Sequence, residues 1–155
     1  MKNTFSVAMI LLILASSCKK QSSAPANHRP EVSFLSVLPN TYSVRDKDTL
    51  VISFEFSDKA GDVGNSPGTI PTPNIFFSAD TGKSWSSAML PDIPDYFRTQ
   101  DGIKGRASMF IATRLIPFDS LSLVQGKKFK FIFCIADQAG NSSDTISTST
   151  ITALP

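Results

Sequence analysis

The chain has 155 residues, and 15 Lys and Arg against 13 Asp and Glu leave a formal net charge of +2. No basic run or arginine cluster interrupts that balance, so nucleic acid has no electrostatic footing here and is excluded as a partner. Twelve Phe beside one Trp and two Tyr point to aromatics used mainly as core filling.

In chain order, the first feature is a targeting segment. Lys2 precedes an unbroken apolar run of nine residues, Val7 to Ala15. A spanning helix needs about 20 such residues, whereas a signal-peptide core takes roughly 7–15. The small residues Ala15-Ser16-Ser17 then lead into Cys18. Leu14-Ala15-Ser16-Ser17-Cys18 resembles the lipobox of bacterial lipoproteins, those of Bacteroidota included, with Ala15 standing where Leu is usual. The resemblance implies a signal peptide over 1–17 and a diacylglyceryl group on the sulfur of Cys18, the first mature residue. An ordinary signal peptide cleaved at the same small residues is the alternative. Two or three acyl chains would hold the chain to a membrane, where one gives only marginal binding.

Residues 18–30 have no apolar periodicity and read as a solvated tether. The stretch from Lys19 to Pro30 spans at most about 40 Å at ~3.3–3.6 Å per residue. Lys19 and Lys20 serve either to meet anionic lipid or as solvated charges. In the lipoproteins that this segment resembles, acidic residues after the cysteine favour surface display. None follows Cys18, which places the expectation on the periplasmic side of the cell envelope.

Residues 31–155 have the length of one domain. Without Lys2 the mature chain carries 14 basic and 13 acidic residues. With Cys18 lipidated, Cys134 has no intramolecular partner, and its apolar surroundings predict a buried, inert thiol. Period-two alternation predicts strands over Val32–Leu38, Leu50–Phe56, Ser108–Thr113, Phe129–Ile135 and Thr145–Ala153, the fourth covered on both faces. No window shows a helical period, so the expected fold is an all-β, antiparallel β-sandwich.

Ser78-Ala79-Asp80-Thr81-Gly82-Lys83-Ser84-Trp85 resembles the Asp-box of sialidases and other propellers, a structural hairpin in which the Trp packs beneath the turn. One copy in a short chain cannot make a propeller. The expectation is a single hairpin: Asn74–Ser78, a turn at Ala79–Gly82, then Lys83–Ala88, with Trp85 inside. The segment Asp137-Gln138-Ala139-Gly140-Asn141-Ser142-Ser143 resembles the closing hairpin of bacterial Ig-like and cadherin-like repeats. Asp58-Lys59-Ala60-Gly61-Asp62-Val63-Gly64 resembles the acidic loop of small Ig-like lipoproteins of Bacteroidota, with Ala60 replacing an acidic residue. These likenesses, from Pro30 to Leu154, imply an Ig-like sandwich.

In such a sandwich the loops after Asp58 and Asp137 emerge at one pole, where Asp58, Asp62, Asp137 and either Asn141 or Asp144 would converge. Clustered carboxylates suit Ca²⁺, which takes six to eight oxygens. The same residues also serve as turn formers that bond their local backbone, and Ala60, which removes a possible ligand, tips the expectation towards that simpler role. Catalysis has little support, because the only histidine, His28, lies in the tether and no nucleophile, metalloprotease or phosphate-loop motif occurs. The expectation is therefore a non-enzymatic, membrane-tethered binding or structural module. Its candidate contact is Pro91–Arg98, with Tyr96 and Phe97 offered to a protein or glycan or else capping the core. A glycan-binding or degenerate glycan-hydrolysing lipoprotein is the alternative, and it requires Trp85, Tyr96 or Phe97 on an exposed face.

Overall fold

The computed structural model describes residues 29–45, 48–66, 68, 70–79, 82–116 and 126–155. The expected signal peptide, Cys18, His28 and Asp80 of the Asp-box-like segment lie outside the described residues. The domain is all-β, as its alternation predicts. Among the described residues, ten strands form three sheets: β1 (Glu31–Leu38), β2 (Thr41–Ser43), β3 (Thr49–Asp58), β4 (Ile75–Ser78), β5 (Ser86–Ala88), β6 (Ile103–Ala112), β7 (Lys127–Phe129), β8 (Ile132–Ile135), β9 (Ile146–Ser147) and β10 (Ile151–Leu154). The sheet orders are β1-β3-β6, β2-β10-β7 and β5-β4-β8-β9. No described helix is long and apolar enough to cross a membrane.

The first sheet follows directly from β3. Leu50, Ile52, Phe54 and Phe56 alternate inward and are buried, while Ser53 and Glu55 face outward. β1 pairs with β3 antiparallel, and a bulge between Phe34 and Ser36 leaves Leu35 on the surface. β6 pairs with β3 along its whole length. There Gly105 is required: the Phe56 ring lies over it, and an added Cβ would come within 2.8 Å of that ring.

Phe54 of β3 meets Phe133 of β8 across the sandwich, ring centroids 5.3 Å apart. Both rings are fully buried, each contributing about 1.5–3 kcal/mol of burial. β8 is an interior strand between β4 and β9, as its apolar composition on both faces predicts. The predicted single strand Phe129–Ile135 is in fact two. β7 ends at Phe129 and pairs with β10, whereas β8 starts at Ile132 and pairs with β4. At the break the Phe131 amide donates to Thr148 Oγ1, so a side chain takes the place of a ladder bond. The predicted strand Thr145–Ala153 likewise divides into β9 and β10, which belong to different sheets. β10 pairs parallel with β2, a contact between distant segments that local patterning does not encode.

Candidate functional site at the carboxylate pole

β3 ends at Asp58, and β8 leads through Ala136 to Asp137 at the same end of the sandwich. Val63 bridges Asp137, and the Gln138 amide donates to the carbonyl of Asp62 at 3.1 Å. The predicted convergence therefore holds: Asp58, Asp62 and Asp137 each place a carboxylate oxygen within 4.8 Å of the others. Asp144 is exposed and stands outside this group.

Most of these carboxylate oxygens are engaged by the loops they terminate. Asp58 Oδ1 accepts from the Ala60 amide, and Oδ2 accepts from the amides of Asp62 and Val63. Asp137 Oδ1 accepts from the Asn141 amide, and Oδ2 from Asn141 Nδ2. These are Asx-type loop closures, the turn chemistry anticipated for such residues. Asp62 Oδ1 is different, since it is buried with no hydrogen-bond partner. Its carboxyl is pushed above the usual carboxylate range, first by burial, then by a side-chain hydrogen bond with Asp58 and by the charges of Asp137 and Asp58. Asp58, Asp62 and Asp137 are the residues that could hold a cation. Their fit to Ca²⁺ is partial, because each oxygen of Asp58 and Asp137 already accepts an N–H, and six to eight oxygens are wanted.

Two residues that sequence reasoning did not single out fasten this pole. Arg98 sends its guanidinium into the loop after β3, donating to the carbonyls of Gly61, Val63 and Asn65, the last two at 3.3 and 3.5 Å. Its being the one cation in Pro91–Arg98 is the signal that could have flagged it. Gly102, at φ +91°, closes a turn with Thr99 and lies against Asp58. A Cβ there would strike the Asp58 carbonyl and come within 2.6 Å of Lys59 Cα.

Arg98 also ties an aromatic ledge to the pole. Tyr96 and Phe97 occupy a 3-10 turn, Asp95–Phe97, in which no residue is buried. Their rings lean on each other with centroids 4.5 Å apart. At 78% and 55% exposure they do not cap the core, which corrects that alternative. Trp85 is a second correction: it is 46% exposed and packs its edge near Gly82 rather than lying inside. β4 pairs Ile75 with Ile135 and Ser78 with Ile132, so the hairpin turn carrying Trp85 projects from the opposite end of the sheet. The three exposed rings therefore do not form one platform. Cys134 is half-buried rather than fully buried, and burial pushes its thiol up.

Compared with known proteins, the chain matches no family model, no curated protein and no solved structure.

Proposed function

We propose that this chain is a non-enzymatic, lipid-anchored envelope module, an Ig-like sandwich that engages its partner through the Tyr96–Phe97 ledge. The observation that carries the reading is the exposure of this leaning ring pair on a turn that Arg98 clamps to the carboxylate loop. Exposed aromatics on a braced turn supply large contact area at little conformational cost. The lipobox-like segment ending at Cys18 supports the anchor, and the absence of any histidine from 31–155 supports a role in binding rather than acid–base catalysis.

Two measurements test it. Mass spectrometry of the full chain from native cells is expected to find a mature N-terminus at Cys18 bearing acyl mass; an unlipidated chain starting elsewhere removes the anchor. A photo-crosslinking amino acid at Tyr96, in intact cells, is expected to capture a defined envelope component. The same probe at Ile70, 88% exposed, should not. Identical adducts from both positions would sink the ledge as a contact.

A glycan partner is the second reading, favoured because Tyr96 and Phe97 are both open to solvent and aromatic faces suit sugar rings. Retardation of the full chain in polysaccharide-containing native gels, lost in Tyr96→Ala, is the expected sign. Equal mobility of parent and variant in every polysaccharide rejects it.

A further inference from the structure

A second surface, away from the carboxylate pole, has a different chemistry. Between the β4–β5 hairpin, the end of β6 and the β7–β8 junction lies a cleft of about 970 Å³. That volume falls at the upper end of the roughly 300–1,000 Å³ typical of small-molecule sites. Its floor includes Phe77 and Phe131, an edge-to-face pair with centroids 6.1 Å apart. Its lips include Phe110 and Leu115, 70% and 71% exposed, a costly position for side chains of this size unless something covers them. Lys83, Lys127, Lys128 and Lys130 also line it, and among its described lining residues there is no Asp or Glu. In a chain whose charges otherwise nearly balance, an apolar trough rimmed by Lys83, Lys128 and Lys130, with no acidic residue among its described lining, selects both the tail and the head of an occupant.

We propose that this cleft binds a long-chain fatty acid, its hydrocarbon tail laid along Phe77, Phe110, Leu115 and Phe131 and its carboxylate held by the lysines at the rim. The tail removes the exposed apolar lips from water. The lysine ammonium groups act as rotatable point charges on flexible stems, which accommodates a carboxylate without demanding one fixed geometry. The site makes no use of the Tyr96–Phe97 ledge and stands or falls apart from it.

The test uses the full chain in membranes isolated from expressing cells, labelled with a diazirine-bearing palmitate and, in parallel, a diazirine-bearing alkyl amine of equal chain length. The palmitate probe is expected to modify peptides containing Phe110 or Leu115, and unlabelled palmitate to compete. The exposed triple variant K83E/K128E/K130E should lose at least tenfold of the palmitate label while gaining label from the amine. F110S/L115S should lose label from both, with an unchanged melting temperature showing that each variant folds. Equal labelling by acid and amine, full palmitate labelling of the lysine variant, or no adduct at these peptides overturns the proposal.

Discussion

Asp62 donates its backbone N–H to Asp58 Oδ2 at 2.8 Å, so the chain joining two carboxylates also clamps them side by side. Asp137 completes the trio, and Asp62 Oδ1 is left buried without a partner. The folded protein relieves this crowding by keeping the Asp62 proton to higher pH than an ordinary carboxylate does. Through the window that begins near the ordinary Asp value of about 3.9 and ends at the raised folded value, the native state binds more protons than the unfolded chain. Stability contributed by Asp62 therefore falls as pH rises through that window. Denaturant unfolding at closely spaced pH values from about 4 to 7 should show this decline. Asp62→Asn should flatten it and raise the midpoint at neutral pH, and an undiminished slope in the variant would place its origin elsewhere.

Calcium gives an independent reading of the same trio. The oxygens of Asp58 and Asp137 each accept an N–H from their own loops, and Asp62 Oδ1 is the remaining unpartnered acceptor. One such oxygen falls well short of the six to eight that calcium takes. The expected melting temperature at neutral pH is the same in EDTA and in millimolar calcium. A rise with calcium that disappears in Asp62→Asn would convert this hydrogen-bonded knot into a cation site.

The convergence of these three residues was legible in the sequence because strand endings and turn residues are local signals. Likewise β3 was legible, since Leu50, Ile52, Phe54 and Phe56 share one buried face. The break between β7 and β8 was not, because Phe129, Phe131, Phe133 and Ile135 keep their inward period through the change of sheet. The distant Thr148 marks the break, its hydroxyl accepting from the Phe131 amide and its own amide donating to the Phe131 carbonyl. The first half of β6, Ile103-Lys104-Gly105-Arg106-Ala107, carries little strand propensity of its own. Its pairing is imposed by β3, with the Phe56 ring filling the space that Gly105 leaves. Trp85 was misread because a motif states what a turn looks like, not how much core lies beneath it.

Tyr42 offers a test of the core's polar accounting. Its hydroxyl is buried with no hydrogen-bond partner, and burial pushes its pKa up to about 12. An orphaned buried hydroxyl costs about 1–3 kcal/mol, whereas removing it leaves the ring's packing intact. Tyr42→Phe is expected to hold or raise stability by up to about 1 kcal/mol. A loss of more than that in denaturant unfolding would mean that the hydroxyl is satisfied in solution.

Gly102 is the stricter structural requirement at the pole. With φ at +91° and the Asp58 backbone against its α-carbon, no side chain fits without moving the end of β3. Gly102→Ala is expected to cost about 1–3 kcal/mol, the scale of a strained backbone site. The size of its effect on the pH slope set by Asp62 then reports how rigidly the turn positions Asp58. An alanine variant as stable as the parent would mean that the turn yields freely.

Arg98 and the ledge beside it should separate support from contact. Arg98→Ala removes a fork that donates to three loop carbonyls and is expected to destabilise the domain by about 1.5–3 kcal/mol. Arg98→Lys should not restore it, because an ammonium cannot span the same acceptors. The rings of Tyr96 and Phe97 bury little, so the double change to Ser should stay within about 0.5 kcal/mol of the parent, as surface substitutions do. That double variant should nevertheless lose the partner adducts obtained from a photo-crosslinker at Asp95, which is exposed in the same turn. Arg98→Ala should lose both stability and adducts. A ledge variant that unfolds would return these rings to the core, and one that keeps every adduct would remove them from the interface.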